Sequence, residues 1–350
     1  MKPLTYIYPK SQRPSFKLIA QQHIKQLRKR GVEVIERDIK YFTEKDVGEV
    51  TVTHPMFYPV IDAPFKVKWL IRRAKKLIGF DVCDSDRITD LASYIANMYD
   101  LVCVPSKFCK EVYRQSGVFS RIEVIPHGVD DAFFREPREP RDPDVRKVAE
   151  KRGVKILYFL WHSGFRKGCD VVAEAFARLL KDFDNVHLIV KLSGLFDPFI
   201  QFLLTLKNVV IFNKWLDVDD LVDLYDVCDI VITPSRSGGF ELNALEALAR
   251  GKIVIVSQWG AFDDYCRECL RVSSKSLVDV FLGDNISKKI HCGKGVNPDP
   301  NDLYHKLRYA ITMKNILEKK YMVLQRIVRE NYNWNVIGEK LFETLKPYLE

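Results

Sequence analysis

Short apolar runs rich in valine, isoleucine and leucine recur at residues 4–8, 50–53, 101–104, 122–125, 156–160, 186–190, 209–212, 230–233 and 253–257. Their length and branched side chains predict strands. Between them, residues 16–30, 107–115, 171–181 and 221–227 repeat apolar side chains at the spacing of one helical face. Strands apolar on both faces, alternating with such helices, predict α/β architecture with parallel sheets covered on both sides. From Asn301 onward the pattern is helical, and Trp334, Ile337, Leu341 and Leu345 form one apolar stripe.

The alternation breaks once. Residues 131–152 interleave Pro137, Pro140 and Pro143 with charges, which excludes a central strand or an uninterrupted helix. An exposed linker is expected there, between an N-terminal domain at 1–130 and a second domain at 153–330. Residues 331–350 are expected as a terminal helix. A chain of 350 residues can bury two such cores.

Composition adds exclusions. The chain is 47% hydrophobic and 29% charged, as a globular protein should be. No apolar run approaches the ~20 residues that span a bilayer, and the first sixteen residues do not read as a secretory signal. A cytoplasmic location is expected. The eight cysteines are scattered and predict reduced core residues. Cys266 and Cys269 form a lone C-x-x-C, and a zinc site would want a second pair.

The net charge of +9 suits nucleic acid, an anionic membrane or an anionic substrate. Its densest source runs from Phe65 to Ile78. Val67, Leu70, Ile71, Ala74, Leu77 and Ile78 recur at helical spacing, while Lys66, Lys68, Arg72, Arg73, Lys75 and Lys76 fill the other face with Trp69. Two accounts fit: a core-packed helix with a solvated basic face, or peripheral contact with the inner membrane surface. Nucleic acid fits less well, because several aromatics are not interleaved with the basic residues.

The chemistry-bearing segment is 234–265. A strand ends in Pro234-Ser235-Arg236-Ser237-Gly238-Gly239-Phe240-Glu241, and a helix follows through Leu242, Asn243 and Glu246 to Gly251. Two glycines let backbone N–H groups approach a ligand, and a helix start favours an anion. Glu246 could accept hydrogen bonds from a ribose diol. A second loop, Trp161-His162-Ser163-Gly164-Phe165-Arg166-Lys167-Gly168, follows the first strand of the second domain. It places two cations at a helix start, which suits an anionic ligand.

These two segments, with Ile125-Pro126-His127-Gly128-Val129-Asp130, resemble the motifs of family 4 glycosyltransferases of GT-B fold. The resemblance covers roughly residues 100–350. It implies two Rossmann-like domains facing across a cleft, with a C-terminal helix returning to the N-terminal domain. It also implies retaining transfer from a UDP- or GDP-linked sugar to a glycan or lipid acceptor, without cofactor, metal or nucleic acid. Arg166 and Lys167 fall where the family clamps the diphosphate, with His162 a weaker substitute for a missing arginine. Gly238, Gly239, Phe240, Leu242 and Asn243 fall on the donor-sugar loop, Glu246 on the ribose contact and Trp215 near the base. His54, at a strand end before Pro55, falls where the family has an active-site histidine; a structural histidine is an equal account.

The match is incomplete. The family's first acid is replaced by Gly238, and the nearest spare carboxylate is Glu241, three residues later. The loop at 9–16 lacks the family's glycines. Asp84 and Asp86 could touch hydroxyls or cap a helix from Arg87, and His127 reads as structural. Two rivals share the fold: a nucleotide-sugar 2-epimerase, and a non-catalytic sugar-nucleotide-binding protein.

Overall fold

Runs of branched aliphatic residues pair side by side because each can bury both faces only within a sheet covered by helices. The structure, a computed structural model, describes residues 1–11, 15–161, 163–193, 197–280 and 285–350. The chain divides into two units, each a Rossmann-like α/β domain built on one parallel sheet.

The first unit comprises Met1–Gly128, Gly283–Gly293 and Tyr332–Glu350. Its strands are β1 (Leu4–Tyr8), β2 (Val34–Asp38), β3 (Val50–Thr53), β4 (Lys76–Phe80), β5 (Leu101–Val104) and β6 (Arg121–Val124), in the order β2-β1-β3-β4-β5-β6. All pairs are parallel. The last helix, Trp334–Leu349, belongs to this unit and buries Trp334, Ile337, Leu341 and Leu345. It lies close against helix Ser15–Lys29: a Cβ on Gly338 would come within 2.7 Å of Gln26. Arg30 ties the two helices by donating to Glu339 at 2.9 Å and to the Asn335 carbonyl at 2.8 Å.

The second unit comprises Val129–Leu282 and Lys294–Asn331. Its sheet holds β7 (Val154–Trp161), β8 (Val186–Leu192), β9 (Val209–Phe212), β10 (Ile230–Thr233), β11 (Ile253–Ser257) and β12 (Leu270–Val272). Their order is β12-β11-β10-β7-β8-β9, again parallel. Strands β13 (Ser274–Asp279) and β14 (Lys294–Pro298) form an antiparallel pair. Ile230, Val231, Ile253 and Val254 are fully buried, as adjacent inner strands require.

Four expectations are corrected. The segment 131–152 is part of the second unit rather than an exposed linker: Phe133, Val145 and Val148 are buried. Pro143 opens helix Pro143–Ala149, and Asp142 caps it by accepting from the Asp144 and Val145 amides; a proline in the first turn costs no hydrogen bond. The cations are balanced by a distant acidic helix, Val218–Asp226, where fully buried Asp223 accepts from Arg135 and, at 3.1 Å, from Arg138. Local sequence does not reveal that partner.

The basic stretch is not one helix. Phe65–Arg73 is helical, Ala74 is extended, and Lys76–Phe80 is β4. Trp69 is partly buried and packs 6.2 Å from Phe42, while Lys66 is buried and donates to the Ile39 and Lys40 carbonyls at 3.0 and 2.8 Å. Over nine residues the periodicity was too short to fix the buried face. Cys266 and Cys269 are joined as a disulfide, because the turn after helix Phe262–Tyr265 brings their Cα atoms to 5.1 Å. Finally, Thr89, not Asp84 or Asp86, caps the following helix, Asp90–Ala96.

Candidate functional site

Strands β7 and β10 are neighbours, so the loops at their carboxyl ends lie side by side at the end of the sheet where open α/β proteins bind ligands. Backbone and side chains stitch them together. The Arg236 amide donates to the Arg166 carbonyl at 2.7 Å, and the Arg166 guanidinium donates to the Ser237 carbonyl at 3.2 Å. Gly168, at φ +74°, starts helix Cys169–Asp182 in the left-handed region, and a Cβ there would come within 2.4 Å of the Pro234 carbonyl oxygen. Only glycine permits that approach.

The loops meet at a carboxylate. Glu241, a non-glycine residue at φ 63°, precedes helix Leu242–Ala249. Its side chain is 3% exposed, accepts from Lys167 Nζ at Oε1 (2.6 Å) and at Oε2, and lies 3.7 Å from the Arg166 guanidinium. A Cβ built on Gly238 would sit 2.8 Å from the Glu241 carboxyl carbon. The carboxylate therefore occupies the space a side chain at 238 would take, though it is three residues away in sequence.

One helical turn on, Glu246 Oε2 accepts from the Tyr225 hydroxyl at 2.8 Å, and that hydroxyl also donates to the Asn243 carbonyl at 3.1 Å. Burial pushes the Glu246 carboxyl up to about 8, against the Tyr225 hydrogen bond and with the help of Asp130. From the end of β10 to the start of the next helix, Thr233 Oγ1, Ser235 Oγ, Ser237 Oγ and Asn243 Nδ2 are buried without a hydrogen-bond partner among the described residues. Each such group costs about 1–3 kcal/mol when unsatisfied. Clustered at a strand end beside two cations, they suit a ligand rich in hydroxyl and phosphate oxygens.

Residues 140–290 match the model of a family described as glycosyl transferases group 1. The chain is 27% identical over 362 residues to "Uncharacterized protein 356" of Sulfolobus islandicus rod-shaped virus 1, covering 99% of each chain. It is 26% identical over 265 residues to an alpha-monoglucosyldiacylglycerol synthase of Streptococcus pneumoniae, covering 70% of this chain and 58% of that protein. The chain is a glycosyltransferase. Its fold matches that of Anabaena Alr3699/HepE, whose structure is in complex with UDP and glucose, with a TM-score of 0.73 at 14% identity over 99% and 100% of the two chains.

In this glycosyltransferase Arg166, Lys167, Gly238, Glu241 and Glu246 come together at one end of the second unit's sheet. Phe240 is 3% exposed and packs on Tyr265 at 5.3 Å, so only its backbone can face a ligand. Asn243 and Leu242 start the helix and are half-buried, and Gly239 lies between them and Gly238. Trp215 is 40% exposed and stands edge-on to Trp161, 5.8 Å away, beyond the ends of β7 and β9. His162 lies outside the described residues. No group of three or more His, Cys, Asp or Glu is placed to hold a metal ion among the described residues.

His54 belongs to the first unit. It is 2% exposed at the end of β3, ahead of a cis bond to Pro55. Its Nδ1 lies 3.0 Å from the Tyr6 hydroxyl, which is also 2.9 Å from His23 Nδ1. His23 stacks on it at 5.5 Å, and Phe16 and Phe80 pack at 5.5 and 5.4 Å. Burial and the neighbouring His23 and His127 hold its imidazole well below the ordinary value, so it is neutral.

Sequence reasoning missed three parts of the site. Arg236, 3% exposed, forms a two-pronged pair with Asp170 at 2.7 and 2.8 Å, donates to Asn297 at 3.0 Å and stacks over Phe165 at 4.0 Å. A lone cation in a loop of small residues was the available signal. Tyr225 and Tyr265 reach the site from other elements, and nothing local marks either.

Proposed function

We propose that this glycosyltransferase transfers a sugar from a nucleotide-sugar to an acceptor with retention of configuration and without an essential metal. What carries the reading is the Arg166–Lys167 pair set side by side on Glu241, with half-buried Glu246 on the helix that follows. Two cations at a helix start would hold the donor diphosphate and stabilise the charge it gains as the glycosidic bond breaks. Glu246 would accept from the ribose diol, and Trp215 would lie near the base. Glu241 would stand in for the acid missing at Gly238, because its carboxylate fills the space beside that glycine. His54 would serve the reacting centre as a neutral imidazole. The likeness to a structure holding UDP and glucose supports a nucleotide-sugar donor.

The test is incubation with a panel of UDP- and GDP-sugars and a membrane extract, with nucleoside diphosphate release as the readout. Release with labelled acceptor supports the reading. Donor converted without transfer supports a 2-epimerase, and binding without turnover a non-catalytic binder. Affinity for the diphosphate product should also depend on pH. Glu246 accepts two hydrogen bonds from a diol only when ionised, so affinity rises as pH approaches about 8 and then levels. Calorimetry on Glu246→Gln should give a flat profile over the same range; a rising one would remove Glu246 from the ribose contact.

The lipid acceptor rests on the likeness to the diacylglycerol-modifying relative and on the surface of helix Phe65–Arg73. Phe65 and Ile71 are exposed at 57% and 54%, and Lys68, Arg72, Arg73 and Lys75 are exposed around them. Tyr41, 65% exposed, stands on the neighbouring loop that Lys66 ties to this helix. Apolar tips among cations suit an anionic bilayer. Sedimentation with phosphatidylglycerol vesicles should retain the protein, and each cation removed should weaken binding roughly five-fold. Equal binding to neutral vesicles, or none, would leave the face as solvated surface.

A further inference from the structure

We infer that Tyr265 is a positioning residue for Glu241, an inference that rests on the proposed donor site but can be tested apart from it. Glu241 must hold a left-handed backbone, φ 63°, for its carboxylate to turn back over Gly238 and reach Lys167. A glutamate does not adopt that conformation without support. The support comes from one hydroxyl: Tyr265 Oη donates toward the Phe240 carbonyl at 2.6 Å and the Glu241 carbonyl at 2.8 Å. The same tyrosine ring packs on Phe240, 5.3 Å away, and on Phe262, 6.2 Å away.

Tyr265 is itself held in place. It ends helix Phe262–Tyr265, and the next residue, Cys266, closes a four-residue ring through its disulfide to Cys269, immediately before β12. The Cys266 amide donates to Phe262 at 2.8 Å and the Cys269 amide to Cys266 at 3.1 Å. The tyrosine hydroxyl is thereby aimed from a rigid turn on β12 across to the loop after β10. Its two acceptors are the carbonyls of the two peptide units on either side of the Glu241 Cα, whose orientation sets Glu241. Tyr265 acts on the cations through the carboxylate that pairs them.

Tyr265→Phe removes the hydroxyl and keeps the ring, so the packing on Phe240 is retained. The direct readout is the rate at which an acylating reagent modifies Lys167, followed by mass spectrometry. Lys167 is 8% exposed and paired with Glu241, and releasing the carboxylate should raise its rate roughly ten-fold, the size expected for one lost hydrogen bond shared between two carbonyls. Glu241→Gln should raise it similarly, and the double variant no further. Lys314, paired with Asp229 elsewhere in the unit, should not change. An unchanged Lys167 rate, a rise shared by Lys314, or additive effects in the double variant would overturn the assignment. If Lys167 responds as expected while the wild type releases no nucleoside diphosphate from any donor, the positioning role stands and the proposed transfer fails.

Discussion

Lys167→Met is expected to lower kcat/KM for the nucleotide-sugar about 10²–10³-fold, the usual cost of removing a preorganised group that stabilises developing charge. It should also destabilise the second unit by about 3 kcal/mol, because it leaves a buried carboxylate without its closest cation. Glu241 is 3% exposed, and among the described residues the cation left beside it is Arg166 at 3.7 Å. The two effects can be separated. Adding Glu241→Gln removes the unpaired charge, so the double variant should regain most of the lost stability in a urea titration. Turnover should stay low, since the cation is still missing. Normal donor affinity in a stable Lys167→Met protein would take Lys167 out of the donor site.

Acid should unfold the first unit steeply. Burial holds His23 and His127 at about 3, and His54 well below its ordinary value. Their ordinary value is 6.5, so below it the unfolded chain binds protons that the folded unit does not. Stability therefore falls as pH drops from 6.5 towards about 3, by about 1.4 kcal/mol per pH unit for each histidine. Asp81 opposes this. Burial raises its carboxyl from 3.8 to about 7, so the folded unit binds the extra proton in that window and gains stability as pH falls. Below its ordinary value both states are protonated and the compensation stops. The net dependence is gentle near neutrality and steepest below about pH 4, where Asp81 no longer compensates and the lowered carboxyls of Glu36, Asp38 and Asp46 add to the histidines. Unfolding followed by near-ultraviolet circular dichroism should show that break in slope. His23→Phe, which leaves Tyr6 its partner His54, should reduce the slope around pH 5 by about half, since Asp81 offsets one of the three histidines there; an unchanged slope would mean that His23 is not held neutral.

The legible parts of this protein are those that repeat or lie contiguously. Leu101–Val104, Ile230–Thr233 and Ile253–Ser257 announce themselves because inner parallel strands must be apolar on both faces. The stripe of Trp334, Ile337, Leu341 and Leu345 marks a buried helix face for the same reason. Arg166 and Lys167 are marked by place, just beyond a strand end at a helix start, and Glu246 by its position inside the helix that follows the glycine loop. β2 (Val34–Asp38) was illegible because only its first residue is fully buried and its polar residues broke the pattern. The basic stretch misled because cations on a short helix and on the strand after it produce one apparent period.

Sequence alone thus determined the α/β class, most of the sheets and the two loops that bear the chemistry, because each depends on residues close together in the chain. Tertiary structure decided what depends on residues far apart. It placed Glu241 in the space beside Gly238, supplied Tyr225 to Glu246 and Tyr265 to Glu241, and drew residues 131–152 onto an acidic helix some eighty positions away. It also gathered His23, His54 and Tyr6 into one buried cluster. The physical reason is common to all of them. A buried polar group must be satisfied, but its partner can come from any element that the fold brings within hydrogen-bond reach.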